Sequence, residues 1–189
     1  MKKIVLTFGL ISGAVLSAMM LITLPFHDQI GFERGMVVGY TTMVLAFLLV
    51  YFGVRQYRDT VGGGSVGFGR AFVVGAMIAA ISSACYVATW EVIYFNFTPD
   101  FMEKYQAHEL EKARADGATP EAIARKKAEM DHFAEMYQNP AINAAMTFME
   151  PLPVALIVAL VSAGVLGTRK KRENGAATAM AGATAQTSM

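Results

Sequence analysis

Four long apolar runs, each free of Asp, Glu, Lys and Arg, constrain this chain more than any other feature. They are Ile4–His27, Gly35–Val54, Ala71–Trp90 and Pro151–Thr168. A helix of roughly 20 apolar residues spans the hydrocarbon core of a bilayer, and each run has about that length. Only 16% of the 189 residues are charged, against about 25% in soluble domains. The sequence predicts an all-α protein, a bundle of four transmembrane helices with spans at about 4–26, 35–54, 71–96 and 148–168.

The first run resembles the apolar part of a signal peptide, because Lys2 and Lys3 precede it. It is longer than the roughly 7–15 apolar residues of a signal peptide, and no Ala-x-Ala cleavage site follows it. We therefore expect an uncleaved first span, with a cleaved signal peptide as the alternative. The single membrane domain then covers 1–172, and the weakly charged, aperiodic segment 173–189 is predicted to be a disordered cytoplasmic tail.

The basic residues near the span ends predict the topology. With the N-terminus in the cytoplasm, the cytoplasmic ends carry Lys2, Lys3, Arg55, Arg58, Arg70, Arg169, Lys170, Lys171 and Arg172. The positive-inside rule therefore favours a cytoplasmic N-terminus and a cytoplasmic C-terminus. In a bacterium the protein would lie in the inner membrane with 98–150 in the periplasm, and a eukaryotic organelle membrane is the alternative. A net charge of +1 gives no reason to expect nucleic acid as a partner.

The charged segment between the third and fourth spans carries two helix-start signals, Thr-Pro-Asp at 98–100 and Thr-Pro-Glu at 119–121. Thr caps a helix, Pro suits the first helical position and an acid suits the first turn. The first helix is expected to run to about Asp116 and the second to Asn139-Pro140, which predicts an extracytoplasmic helical hairpin over 98–140. A short helix over 141–149 would lead into the fourth span.

Small residues recur every four positions in all four spans. These series are Gly9, Gly13 and Ser17; Gly35 and Gly39; Gly75, Ala79 and Ser83; and Ala155, Ala159, Ala163 and Gly167. Such series let helix backbones approach closely in lipid, so we expect tight packing within the bundle, with a homo-oligomer seam as the alternative. The glycine-rich segment 55–70 lacks the Gly-Lys-Ser/Thr ending of a phosphate-binding loop and is predicted to be a flexible turn.

Aromatic residues are concentrated at the predicted outer end of the third span. They are Tyr86, Trp90, Tyr94, Phe95 and Phe97. Amphipathic rings are enriched where the membrane meets water, so this group is predicted to be an interfacial belt.

Two acidic residues, Glu91 and Glu150, lie at similar predicted depth near the outer interface. Ionisable side chains at membrane depth are costly and usually face protein or water. The functional hypothesis is a shared polar pocket that binds a cation, a proton or a polar headgroup. The alternative is that both carboxylates reach interfacial water or pair with Arg34.

The remaining residues give little support for catalysis. His108-Glu109-Leu110-Glu111-Lys112 lacks the second histidine of a zinc protease motif, and His132 with its acidic neighbours is a weak metal hypothesis. No serine elbow occurs, and the only cysteine is Cys85, so an internal disulfide is excluded. We predict no catalytic residue, no bound metal and no cofactor, and thus not an enzyme.

Two segments carry a family resemblance: PDFMEKY at 99–105 and EMDHFAEMYQNPAINAAMTFMEPLPV at 129–154. The chain resembles the bacterial membrane family catalogued as domain of unknown function 4199 over roughly 2–171, most specifically in the run 147–154. The resemblance implies four spans, a helical insert before the fourth and a bacterial inner membrane. It implies no activity, cofactor or ligand, and no role for Glu91 or Glu150.

Three functions remain open from the sequence. The first is a non-enzymatic scaffold, assembly or sensing protein whose hairpin docks a periplasmic or membrane protein partner through Tyr105, His108, His132 and Tyr137. The second is a small oligomeric transporter or channel subunit with Glu91 and Glu150 on its pathway. The third is an enzyme acting on lipid, for which only the acidic pair and His132 supply groups. In each case the lipid bilayer is the expected surrounding.

Overall fold

The computed structural model describes residues 1–167, and its regular structure there is entirely helical. The helices are α1 (Lys2–Thr23), α2 (His27–Ile30), α3 (Phe32–Thr60), α4 (Phe68–Asn96), α5 (Phe101–Ala115), α6 (Pro120–Tyr137), α7 (Pro140–Met149) and α8 (Leu152–Leu166), with a 3-10 turn at Leu24–Phe26 after α1. The predicted tail 173–189 and the basic cluster 169–172 lie outside the described residues.

Three helices, α1, α3 and α4, are long and apolar enough to cross a membrane. The fourth predicted span, 148–168, is not one helix: α7 ends at Met149, α8 begins at Leu152, and the two are bent by 40°. The prolines at 151 and 153 explain the break, because neither can donate a backbone hydrogen bond to a preceding turn. If α7 and α8 count as one bent span, the described part of the chain has four spans, which fits a helical membrane bundle.

Small residues hold α1, α4 and α8 together as predicted. A Cβ atom built on Gly9 would lie 2.8 Å from the Ile81 side chain, and one on Gly13 would lie 2.6 Å from Cβ of Cys85. Across the same contact, Ser82 donates to the carbonyl of Gly9 at 3.1 Å, and the hydroxyls of Ser17 and Thr89 are 2.7 Å apart. The close approach of α1 and α4 therefore depends on the absence of side chains at Gly9 and Gly13.

The small-residue prediction is wrong for Gly35 and Gly39. A Cβ built on either glycine would meet no atom within 4 Å. The buried residues of α3 begin only at Thr42, whereas Met36 and Val37 nearer its N-terminus are exposed. The N-terminal half of α3 therefore stands apart from the other spans, because nothing packs against its glycines.

One connection between helices is shorter and another is longer than the sequence predicts. The predicted turn 55–70 shrinks to 61–67, where Gly63 and Gly64 take positive φ angles of 60° and 89°. The helix expected from Pro99 begins at Phe101, and the Thr98 hydroxyl lies 3.4 Å from the carbonyl of Ile93 in the preceding helix. The later start signal is confirmed, because the Thr119 side chain caps α6. Asn139, which the sequence indicated only as the end of that helix, also caps α7 through its side chain.

Polar contacts join α5 to α6 and to α3. Lys126 on α6 lies 2.8 Å from the Glu109 carboxylate on α5, and Gln106 donates to Asp131 at 2.6 Å. Lys112 on α5 pairs with Glu33 in the first turn of α3, also at 2.8 Å. The α5–α6 pair thus lies against the bundle instead of standing free of it.

We predict that the α5–α6 pair loosens in acid. The hydrogen bond from Lys126 lowers the pKa of Glu109, and hydrogen bonds from Lys127 and Gln106 lower the pKa of Asp131. A lowered folded-state pKa stabilises the pair at neutral pH, and this contribution is lost as the pH falls below about 4. Hydrogen exchange of α5 and α6, corrected for the intrinsic pH dependence, is expected to show a small loss of protection there. Glu109→Gln should flatten this dependence.

Candidate ligand cavity

A cavity of about 500 Å³, partly open to the surroundings, lies where the N-terminal half of α3 stands apart. Its walls come from the end of α1, from α3 and from α4, and it is covered by α5, α6 and α7. Gly35 and Gly39 form part of the α3 wall, so the space that their missing side chains leave belongs to the cavity. The volume falls within the range of small-molecule sites, roughly 300–1,000 Å³.

The cavity lining is mainly apolar, with a group of aromatic side chains beside Glu150 and threonines at 23 and 42. The aromatic lining residues are Phe32, Tyr86, Trp90, Phe101, Tyr105, Phe133 and Tyr137. The α1 and α3 walls supply aliphatic and thioether side chains, such as Leu16, Met20, Met36 and Met43. A mostly apolar pocket with a few polar groups at one place is the usual form of a site for a small amphipathic molecule.

Glu150 is the one charged side chain among the described residues that line the cavity. It lies at the break between α7 and α8, and its Oε2 atom accepts a hydrogen bond of 2.9 Å from the Tyr86 hydroxyl on α4. The partner of this carboxylate is therefore a tyrosine and not Arg34. The Glu150 side chain is exposed, which is compatible with the other half of the sequence-based alternative, contact with interfacial water. The hydrogen bond fixes the carboxylate against the cavity wall.

Glu91 does not line the cavity. Its Oε1 atom is buried and has no hydrogen-bond partner among the described residues. Both Glu91 and Glu150 lie close enough to Tyr137 to contribute to its raised pKa, although burial of the phenol is the larger cause. The structure thus brings the two predicted carboxylates towards one hydroxyl but gives only Glu150 access to the cavity.

A buried hydrogen-bond network fixes α6 and α7 to α4. Trp90 Nε1 donates to the Tyr137 hydroxyl at 2.9 Å, and this hydroxyl lies 3.1 Å from that of Thr147. Thr147 donates to Asn143 Oδ1 at 3.2 Å, so its single proton is used and the Tyr137 hydroxyl must be the donor between the two. Asn143 Nδ2 closes the network on the carbonyl of Tyr137. The donor and the acceptor of every hydrogen bond in the network are thus defined.

The aromatic-belt prediction is wrong for three of its five residues. Tyr94 is 1% exposed, and Tyr86 and Trp90 are half-buried and line the cavity. Only Phe95 and Phe97 are exposed as a belt requires. The spacing of four residues between Tyr86, Trp90 and Tyr94 puts them on one helix face, and this was the available signal that they act together.

The four residues predicted to dock a partner occupy different places. Tyr105 lines the cavity, with its ring centroid 5.5 Å from that of Phe32, and the His108 ring is 5.2 Å from the same phenyl ring. Tyr137 is buried in the network, whereas His132 is exposed. Among the side chains that the structure describes, no group of three or more His, Cys, Asp or Glu is placed to hold a metal ion.

The model of one protein family, described as "Protein of unknown function (DUF4199)", matches residues 7–168. The chain belongs to this family. The DUF4199 match extends from α1 to two residues beyond the end of α8 and so contains every wall of the cavity. The comparisons with curated proteins and with solved structures each found no match. A function for this DUF4199 protein therefore has to be argued from its own cavity.

Proposed function

We propose that this protein is a non-enzymatic, multi-pass membrane protein that binds one amphipathic molecule from the bilayer in the cavity. The observation that carries the proposal is the pair of unpacked glycines, Gly35 and Gly39, in the wall of a 500 Å³ space. Glycine within a helix costs up to about 1 kcal/mol relative to alanine. A Cβ atom added at either of these two glycines would meet no other atom within 4 Å, so the absence of side chains there leaves the space open and contributes nothing to packing.

The topology proposed from the sequence indicates which end of the cavity faces the periplasm. With both termini in the cytoplasm of a bacterial cell, the α5–α6 pair is a periplasmic helical hairpin that covers the outer end of the cavity. Because α5 and α6 both contribute to the lining, a bound molecule would touch the hairpin directly. We therefore propose a sensing role, in which occupancy of the cavity changes the hairpin presented to a protein partner, with His132 on its exposed side.

The alternative of an oligomeric transporter or channel subunit has less support. It needs Glu91 and Glu150 on one pathway, and only Glu150 lines the cavity. The unpartnered oxygen of Glu91 is the observation that favours it. A third function, an enzyme acting on lipid, has no group of catalytic side chains among the described residues at the cavity to support it.

Filling the cavity tests the proposal. We expect Gly39→Leu to place its side chain in the cavity and to displace the bound molecule. The protein, extracted with its surrounding lipid, would be examined by non-denaturing mass spectrometry. The unmodified protein is expected to retain a molecule of discrete mass, and Gly39→Leu to lose at least about nine-tenths of it. This corresponds to an affinity loss of about 1.4 kcal/mol or more.

Gly164→Leu is the matched control, because a Cβ at Gly164 also meets nothing within 4 Å but lies on α8, away from the cavity. It should retain the molecule as the unmodified protein does. Equal retention by Gly39→Leu, or the absence of any discrete bound mass in the unmodified protein, would count against ligand binding in this cavity.

A further inference from the structure

We infer that the molecule bound in the cavity carries a cationic head, an amine or a quaternary ammonium group, on a single apolar chain, with Glu150 as the counter-ion of that head. This inference rests on the proposed function and names the chemical class of the ligand. It depends on three features of the cavity: its charge, its aromatic side chains and its size.

The charge of the cavity is unbalanced. The described residues that line it include one carboxylate, that of Glu150, and no Lys, Arg or His. The tyrosine hydroxyl of Tyr86 satisfies Oε2 but supplies no positive charge. The Glu150 side chain is exposed and lines the cavity, so its carboxylate is accessible to a bound molecule and can pair with a cation on it. Because no described lining residue supplies a cation, a cationic ligand head is the complementary group.

Aromatic rings lie beside the Glu150 carboxylate. Tyr86 contacts the Glu150 carboxylate, Trp90 follows one helical turn later on α4, and Tyr137 binds Trp90. Faces of tyrosine and tryptophan rings attract cations, and such rings recognise quaternary ammonium groups. The aromatic rings and the carboxylate therefore select for the same kind of head.

The size of the cavity limits the apolar part of the ligand. At about 500 Å³ the cavity is in the middle of the range for single small-molecule sites. Leu16, Met20, Met36 and Met43 line the walls contributed by α1 and α3. A single chain fits this wall of flexible, apolar side chains, because methionines adapt to the shape of an alkyl group.

Trp90 is the only tryptophan in the chain, and it lines the cavity, so its fluorescence reports occupancy without a label. The protein would be placed in nanodiscs of phosphatidylglycerol, which carries no amine. Two amphiphiles with brominated dodecyl chains would be titrated, one with a trimethylammonium head and one with a glucoside head. Bromine quenches tryptophan on contact, so saturable quenching measures binding.

Glu150→Gln removes the charge but keeps an oxygen that accepts from Tyr86. We expect it to weaken binding of the trimethylammonium probe about tenfold or more, and to leave binding of the glucoside probe unchanged. Comparing variants in the same nanodiscs cancels differences in how the probes partition into lipid. Glu129→Gln, which removes an exposed carboxylate on α6, is the matched control and should change neither titration.

The outcomes separate the two proposals. If both probes quench saturably and Glu150→Gln leaves the trimethylammonium titration unchanged, the cationic head is excluded while the binding function stands. If neither probe quenches saturably, both the ligand class and the cavity function are overturned. A tenfold loss confined to the cationic probe supports both.

Discussion

The Gly13→Leu variant is expected not to accumulate as a folded protein. Its Cβ atom alone would lie 2.6 Å from Cβ and 2.8 Å from Sγ of Cys85, and 3.4 Å from the backbone of Ser82. The crowding involves atoms at or next to the α4 backbone, so α1 and α4 must separate. We expect a loss of at least about 3 kcal/mol, the upper part of the range for overpacked cores. The measurement is the monodisperse fraction after extraction, followed by the unfolding midpoint.

Gly164→Leu is again the matched control. It makes the same substitution at a glycine where an added Cβ atom meets nothing within 4 Å. It should extract and unfold like the unmodified protein. A double variant tests the cause directly. Gly13→Ala should destabilise the protein, and combining it with Cys85→Gly, which removes the opposing side-chain atoms, should recover most of the lost stability. An additive double variant would show that the contact between Gly13 and Cys85 is not what limits helix approach.

The spans and their tight contacts could be predicted because both follow from local sequence. Apolar length alone identifies α1, α3 and α4, and the spacing of Gly9 and Gly13 identifies the contact face of α1. The same spacing at Gly35 and Gly39 gave a wrong prediction. A small residue permits close approach, but whether a neighbouring helix occupies that position depends on the tertiary arrangement.

The cavity could be predicted only in part, because it also depends on the tertiary arrangement. Glu150 stands out in the sequence because a carboxylate beside an apolar run is unusual, but its partner Tyr86 is 64 residues away and no local pattern connects them. An aromatic series on a helix suits both an interface and an interior, so Tyr86, Trp90 and Tyr94 were assigned to the wrong surroundings. The break at Pro151 was not predicted, because the span 148–168 was drawn from apolar length, although proline interrupts helices.

The Asn143→Ala variant is expected to loosen α6 and α7 while the spans α1, α3 and α4 stay folded. Asn143 is fully buried, and its amide both donates to the Tyr137 carbonyl and accepts from Thr147. Removing it leaves buried polar groups without these partners, which costs about 1–3 kcal/mol. A loss of about 2 kcal/mol in the stability of α6 and α7 corresponds to hydrogen exchange there that is roughly 30-fold faster, and this is the acceleration we expect.

Asn96→Ala is the control for this substitution, because Asn96 is exposed and its amide donates only within α4, to the carbonyl of Val92. It should leave exchange in α6 and α7 unchanged. Asn143→Leu separates hydrogen bonding from packing, since leucine fills a similar volume without the amide. If Asn143→Leu exchanges like the unmodified protein, packing alone holds α7 on α4. If it exchanges like Asn143→Ala, the polar network holds the cover of the cavity in place.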